Sequence, residues 1–452
     1  MDIVVAGCGK IGETIISSLT NEGLNITVID TDSNVINEIT NIYDVIGVNG
    51  NCADCQTLGE AGVEKASLFV AVTASDELNM LSCFMARKMG AKHTIARIRN
   101  PEYNLNSLGF MSQQLNLSMP INPELMAAKE LFNMLNIPSA VKIEYFSRNN
   151  FEIIELRVKP NSVLDGVQLS DVNDTFKTKV LVCLVQRDGQ THIPDGNFVL
   201  KSGDKIGITA APSEIHKLFK ALGIYQKRAK NVMIMGGSRT AYYLAKMLTA
   251  NGTNVKIIEQ KRERCRELCE YIPKAVVING DGASQELLFE EGIRSTDAFV
   301  ALTGMDEENI LISLFATSLN VPKVISKVNR NELSNMAEKL GLECIISPKE
   351  VIANTMIRYA RALQNSLGSN VEKLYKLMDG TAEALEFNVA DDSNVIGIPI
   401  KELALKPNIL IAGIISGRKI IIPSGDDIIH AGDQVIVFSE NEILKDLSDI
   451  IK

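Results

Sequence analysis

The 452-residue chain contains no tryptophan, and aromatic residues make up only 5% of it. Its core must therefore be assembled from Ile, Leu, Val and Met, a composition suited to parallel strands buried on both faces. Positive charge is also short: 46 Lys and Arg stand against 55 Asp and Glu, a net charge of −9. That balance excludes the basic face that nucleic-acid phosphates demand. No apolar run approaches the ~18–20 residues of a membrane-spanning helix; the longest candidates, at 180–185 and 409–415, are strand-sized. The chain opens Met1-Asp2-Ile3-Val4-Val5, directly into an apolar strand and without the basic start of a secretory leader. It is expected to stay in the cytoplasm, where its eight scattered cysteines would be thiols.

What is present is globular: 46% apolar and 22% charged residues, in a chain too long for one hydrophobic core. It also repeats itself. Residues 3–16 (IVVAGCGKIGETII) resemble 232–246 (VMIMGGSRTAYYLAK), and 25–30 (NITVID) resemble 254–259 (NVKIIE). Further on, 45–50 answers 275–280, and 70–81 (VAVTASDELNML) answers 300–311 (VALTGMDEENIL). Ile95-Ala96-Arg97 and Ile121-Asn122-Pro123 return as Ile325-Ser326-Lys327 and Ile346-Ser347-Pro348. So many matches in one order mean duplication. The ends match too: Ser202-Gly203-Asp204 corresponds to Ala431-Gly432-Asp433, each after short β-branched runs broken by Gly and Pro. Such runs indicate a small sheet domain with a helix or two.

These patterns predict an α/β chain of two Rossmann-like, doubly wound parallel-sheet domains, each followed by a small α+β domain. The expected divisions are 1–139, 140–226, 227–368 and 369–452, with the basic stretch 225–230 (YQKRAK) linking the halves. In the first sheet, strands are expected at 3–6, 25–29, 43–48, 68–72, 94–98 and 119–121. The helix that follows, 123–135, opens with proline. It carries an apolar stripe of Leu125, Met126, Leu131, Phe132 and Leu135. The stripe has two readings, packing on its own sheet or docking on a neighbouring subunit.

The strongest chemical signal is Gly7-Cys8-Gly9-Lys10-Ile11-Gly12, a GxGxxG sequence between a strand and a helix. Gly7 permits the tight turn, Gly9 lets the backbone approach a pyrophosphate, and Gly12 lets helix and strand pack closely. The helix N-terminus then offers free N–H groups and a positive dipole end to phosphate. Asp30 ends the second strand about 20 residues on, where a carboxylate accepts hydrogen bonds from ribose hydroxyls and repels a 2′-phosphate. That favours NAD(H) over NADP(H). Ligands lie at the carboxyl ends of such strands. Asn51 and Cys52 are thus candidates to border adenine, and Thr73 and Ala74 to line the cleft. Arg97 would reach a phosphate, or else pair with Asp76 or Glu77.

The second loop, Gly236-Gly237-Ser238-Arg239-Thr240-Ala241, is degraded. Ser238 replaces the middle glycine and Ala241 the last. The acidic residue persists as Glu259, Thr303 repeats Thr73, and Lys327 stands for Arg97. Ser238 narrows the backbone's approach to a pyrophosphate, while Arg239 at the helix start would grip phosphates. A weaker or different nucleotide (NAD, ATP or ADP) is one expectation here, and an empty structural copy the other.

A dehydrogenase needs a second domain with a proton donor. Among the four histidines, His93, His192, His216 and His430, none is evidently paired with an Asp or Lys that would complete a hydride-transfer site. Cys52-Ala53-Asp54-Cys55 has CxxC spacing, but its duplicate Asp281-Gly282-Ala283-Ser284 lacks thiols and no second pair accompanies it. Incidental cysteines are the expectation, and no metal site is assigned. Cys265 and Cys269 are read the same way.

With Gly7–Gly12 and Asp30, the strings 72–79 (VTASDELN) and 95–103 (IARIRNPEY), and the paired large and small domains, the whole chain resembles the TrkA family of bacterial Trk potassium-uptake regulators. Those proteins carry tandem domains of the RCK or KTN type. The resemblance implies a non-enzymatic cytoplasmic subunit, peripheral on the membrane, that partners a potassium-translocating subunit of the TrkH or TrkG kind. It also implies a ring, as a homotetramer, whose conformation NAD(H) or adenine nucleotides bias. Ligand affinity must then differ between the ring's states. The alternatives are a regulator of another potassium transporter or antiporter, and an NAD-dependent oxidoreductase.

Overall fold

The first large sheet is parallel, and its central strands are buried on both faces, as a run such as Leu68-Phe69-Val70-Ala71 requires. In the computed structural model all residues are described except 102, 104, 138, 147–150, 226, 366–370, 379–380, 418, 441–443 and 445. Gln226 of the expected linker and Glu102 of the second family-like string therefore lie outside the described residues.

Six strands, β1 (Asp2–Ala6), β2 (Asn25–Asp30), β3 (Ile46–Asn49), β4 (Leu68–Ala71), β5 (Thr94–Arg97) and β6 (Met119–Ile121), stand in the order β3-β2-β1-β4-β5-β6. The reversal of direction from β1 to β4 creates the crevice at which α/β sheets bind ligands. Helices α1 (Lys10–Thr20), α2 (Ser33–Ile42), α3 (Cys55–Glu60), α4 (Asp76–Met89) and α5 (Leu105–Gln114) connect these strands, and α6 (Pro123–Asn136) follows. Ile15, Ile16 and Leu19 give α1 its buried face. Ser75 caps α4 by accepting from the amide of Leu78, Asp76 and Glu77 occupy its first turn, and Arg87 and Lys88 its last, all as the helix dipole favours.

A five-stranded antiparallel sheet follows, made of β7 (Lys142–Phe146), β8 (Phe151–Arg157), β9 (Val180–Arg187), β10 (Gln190–His192) and β11 (Lys205–Ala210) in the order β10-β9-β11-β8-β7. Helices α7 (Leu169–Phe176) and α8 (Pro212–Ala221) belong to this part. The pattern then repeats. Strands β12 (Asn231–Met235), β13 (Asn254–Glu259), β14 (Val276–Asn279), β15 (Ala298–Ala301), β16 (Lys323–Lys327) and β17 (Cys344–Ile346) form a second parallel sheet, ordered β14-β13-β12-β15-β16-β17. Its helices are α9 (Arg239–Ala250), α10 (Arg262–Tyr271), α11 (Gln285–Glu290), α12 (Asp306–Ser318) and α13 (Asn331–Lys339), with α14 (Pro348–Asn365) after it. A last antiparallel sheet, β18 (Val371–Leu377), β19 (Ala382–Asn388), β20 (Ile409–Ser416), β21 (Lys419–Ile421) and β22 (Gln434–Ser439), is ordered β18-β19-β22-β20-β21.

Two compact units result. One comprises Met1–Ala128 and Ser347–Ala360, the other Lys129–Ile346 and Arg361–Lys452. In the first unit, Tyr359 of α14 meets the ring of His93 edge-on at 6.3 Å. In the second, the small sheets share one apolar cluster that includes Phe151, Leu184, Ala412 and Phe438. The sheets are joined there by Thr191 and Thr381, whose hydroxyls lie 2.5 Å apart. Lys323, only 4% exposed, donates from Nζ to the carbonyl of Ala140 at 2.6 Å and to Cys344 Sγ at 3.0 Å. Along α6, Leu131 and Leu135 are buried within the chain, and Leu125, Met126 and Phe132 are partly buried. No helix among the described residues is long and apolar enough to cross a membrane.

Candidate nucleotide sites

The glycines between β1 and α1 each meet a different steric demand. Gly7 has φ +97, and a Cβ there would stand 2.8 Å from the amide nitrogen of Thr73. A Cβ on Gly12 would overlap the carbonyl oxygen of Gly7. Gly9 is different, because a Cβ there meets nothing within 4 Å. It is the N-cap of α1, with φ −66 and no side-chain cap. Gly7 and Gly12 thus build the turn, while Gly9 leaves bare the start of a helix whose first amides lack intrahelical partners.

Asp30 is tied to the same loop. Its Oδ2 accepts from the amide of Cys8 at 2.7 Å and its Oδ1 from the amide of Asp32 at 3.0 Å. The Cys8 side chain is buried, and burial, then the Asp30 charge, pushes its thiol up to about 12. Lys10 is exposed beside it and Ile11 half-buried. Asn51 is exposed, its Oδ1 accepting from the amide of Ala53 at 2.9 Å. Cys52 turns into the core, and burial raises its thiol although a hydrogen bond with Ser82 works the other way. Thr73 is half-buried and Ala74 exposed at the end of β4. Arg97 is buried and donates to the carbonyl of Thr73. Asp76 receives the amides of Arg99 and Asn100, both at 2.8 Å, and pairs with the Arg99 guanidinium at 3.7 Å. Glu77 accepts from Ser75 Oγ at 2.8 Å and from the Tyr103 hydroxyl at 2.9 Å.

The second loop keeps the turn and alters the cradle. Gly236 has φ +91, and a Cβ there would lie 3.0 Å from the backbone of Thr303. Gly237 donates to Glu259 Oε2 at 2.6 Å, while Lys261 donates its amide to Oε1 at 2.7 Å. A Cβ on Gly237 would stand 2.7 Å from Leu268 Cδ1 and 2.9 Å from Glu259 Oε2, so a side chain like that of Cys8 would have to displace both. Ser238 caps α9, its Oγ accepting from the amide of Ala241 at 3.3 Å. Arg239 is exposed and Thr240 buried. Arg264 of α10 donates from Nε to the carbonyl of Gly237 at 2.7 Å, where the first half has an uncharged Val35. Thr303 and Lys327 are half-buried at the ends of β15 and β16, as Thr73 and Arg97 are placed in the first sheet. The structure pairs Cys52 with Gly282 rather than with Asp281, because the helix that follows each is offset by 230 positions; a Cβ on Gly282 would overlap the Met235 side chain, while Cys52 shares a buried cluster with the smaller Ala6. Among the described residues no group of His, Cys, Asp and Glu is arranged to hold a metal ion.

Two residues absent from the sequence-derived set belong with these sites. Asn79 and Asn309, fully buried on α4 and α12, bond to Thr73 and Thr303. The repeat itself carried the signal, since both lie at the same place within the matched strings 70–81 and 300–311.

Two such sheets, each with a glycine turn and an acidic residue ending its second strand, and each followed by a small antiparallel sheet, define a tandem pair of Rossmann-like and small-sheet domains, the fold of the RCK structures. The chain belongs to the TrkA family of Trk potassium-uptake proteins. The TrkA-N domain matches residues 3–112 and 232–348, and the TrkA-C domain 153–223 and 384–452. The chain is 32% identical to the Trk system potassium uptake protein TrkA homolog of Archaeoglobus fulgidus over 452 residues, all of both chains. It is also 32% identical to the Trk system potassium uptake protein TrkA of Haemophilus influenzae, over 97% of this chain and 95% of that one. The crystal structure of the GsuK RCK domain aligns with a TM-score of 0.63 at 17% identity, covering 97% of this chain and 92% of that one. The GsuK channel bound to NAD aligns with a TM-score of 0.62 at 17% identity, over 97% and 77%. The chain is a regulator of potassium transport rather than an enzyme.

Proposed function

We propose that the chain senses NAD(H) at its first loop and, through it, gates a potassium-translocating membrane subunit of the TrkH or TrkG kind. The observation that carries this is the open space at Gly9 beside the carboxylate of Asp30. A pyrophosphate fits against the bare start of α1, and the lone pairs left on Asp30 suit ribose hydroxyls. Thr73, Ala74 and Arg97 form the cleft wall on the β4 and β5 side, and Asn51 lies at the adenine side. Cys8 contributes its backbone. A relative of the same fold, the GsuK channel, has been solved with NAD.

The second loop calls for a different ligand. Ser238 supplies its own cap, and Arg239 and Arg264 add cations. ADP or ATP, with a phosphate terminus that these cations neutralise, suits it better than NAD. Gating then follows from unequal affinity for two arrangements of a ring of copies, a homotetramer peripheral on the membrane.

Calorimetry with NAD⁺, NADH, ATP and ADP on the intact chain, Asp30→Ala and Glu259→Ala tests the reading. NAD binding without turnover, lost in Asp30→Ala and kept in Glu259→Ala, is the expected result. Unchanged NAD binding in Asp30→Ala overturns the site. Co-purification with an antiporter rather than a Trk-type subunit would move the chain to the other transporter class.

A further inference from the structure

One side chain fastens the ends of β4 and β5 together. Asn79 has no exposed surface. Its Oδ1 accepts from Thr73 N at 2.8 Å and Thr73 Oγ1 at 2.7 Å, and its Nδ2 donates to the carbonyls of Arg97 at 2.9 Å and Thr73 at 3.3 Å. The amide group thus has two donors facing its oxygen and two acceptors facing its nitrogen, which uses its hydrogen-bonding capacity in full. In the second half, Asn309 Oδ1 accepts from Thr303 N at 2.9 Å and Thr303 Oγ1 at 2.8 Å, and its Nδ2 donates to Lys327 O at 2.9 Å and Thr303 O at 3.3 Å. The glycine loops of the two halves have diverged, yet this clamp is kept to within 0.1 Å in every bond.

The clamp lies at the carboxyl ends of the strands, where a sheet of this order binds its ligand. It also grips the backbone and hydroxyl of Thr73 and the backbone of Arg97, two residues assigned above to the cleft wall. Burying an amide at this junction costs free energy unless every bond is made, so the clamp admits one spacing between the two strand ends. We infer that Asn79 is a positioning residue of the first nucleotide site, holding Thr73 and Arg97 at the spacing a bound dinucleotide needs, and that Asn309 does the same for Thr303 and Lys327. The inference rests on the nucleotide reading given above.

The test is NAD⁺ calorimetry, with thermal unfolding in parallel, on the unsubstituted chain, Asn79→Ala, Asn79→Asp and Ser118→Ala. Ser118 Oγ accepts from the amide of Thr94 at 3.1 Å, at the other end of β5, so its removal loosens the same strand away from the cleft. Asn79→Ala is expected to weaken NAD⁺ tenfold or more, while Ser118→Ala stays within twofold. Asn79→Asp keeps the size and the acceptor for Thr73, so it serves where the alanine variant fails to fold. It turns an oxygen toward the Arg97 carbonyl and is expected to bind weakly at pH 8. Relative to the unsubstituted chain, it should recover toward pH 5.5, as its carboxyl gains a proton and can donate again. The inference is overturned if either folded Asn79 variant binds within twofold of the unsubstituted chain at both pH values, or if Ser118→Ala loses as much affinity. An unsubstituted chain that takes up no NAD⁺ sinks the nucleotide reading itself. Tight binding indifferent to Asn79 sinks only the positioning role.

Discussion

The hydroxyl of Ser238 sits 3.3 Å from the amide of Ala241 and caps α9 at the point where Gly9 leaves α1 open. One substitution between the halves thus decides whether that helical amide is left open or bonded to the chain's own side chain. Ser238→Gly removes the cap at a cost of about a few tenths of a kcal/mol and frees that amide. NAD affinity at the second site, read by calorimetry on a background of Asp30→Ala, is expected to rise. An unchanged or weaker affinity would show that the cap is not what sets the second ligand.

The converse change separates binding from folding in the first loop. Gly9→Ala meets open space at an ordinary φ, so its stability cost should stay below about 1 kcal/mol, yet on the proposed reading its methyl group stands in the way of the pyrophosphate. NAD affinity should fall tenfold or more. Gly12→Ala drives a methyl group into the Gly7 carbonyl and should cost about 1–3 kcal/mol of overpacking in urea unfolding. Equal stability losses in the two variants would contradict the division of roles among these glycines.

The duplication, the alternation of strands and helices and the turn glycines were legible in the sequence because they depend on local pattern. The last strand of the first sheet, 119–121, falls where the apolar run placed it. The third begins at Ile46 rather than Tyr43, since Tyr43 closes α2 instead, its amide donating to the carbonyl of Ile39. The inward turn of Cys52 was not legible, because it depends on a buried cluster assembled from several strands and helices, with Ala6, Phe69 and Cys83 among its members. The grouping of residues 347–360 with the first sheet was hidden too, since it joins segments more than 200 positions apart. Asn79 looked like one polar residue of a helix start, and only the three-dimensional meeting of β4 and β5 gives it a role.

Thiol chemistry offers a check on the first loop. Cys8, Cys83 and Cys183 are buried with their thiols pushed up chiefly by that burial, whereas Cys55 and Cys269 are exposed. Only the thiolate reacts. Brief iodoacetamide treatment at pH 8 followed by mass spectrometry should label Cys55 and Cys269 and spare Cys8. Rapid labelling of Cys8 would mean that the loop opens far more than its bond to Asp30 allows.

Stability should decline on mild acidification through His93. Burial first, then Arg87 and Lys92, lowers its pKa below the usual value. The folded chain therefore resists the proton that the unfolded chain accepts, and stability falls as pH drops below the ordinary value of about 6.5. His93→Gln should flatten the difference in urea midpoint between pH 7.5 and 5.5. An identical pH slope in the variant would remove His93 from the explanation.

Lys323→Met keeps most of the buried volume but leaves the Ala140 carbonyl without the Nζ donor it accepts from at 2.6 Å. A buried acceptor deprived of its partner costs about 1–3 kcal/mol, measurable by urea unfolding. A neutral substitution would show that the lysine is dispensable to the second unit.

The most direct test of the account is a structure of the intact chain determined with NADH. Density for the pyrophosphate should lie over Gly9 at the start of α1, with the adenine ribose hydroxyls on Asp30. Clear density for the dinucleotide elsewhere, with the first loop empty at saturating ligand, would contradict it.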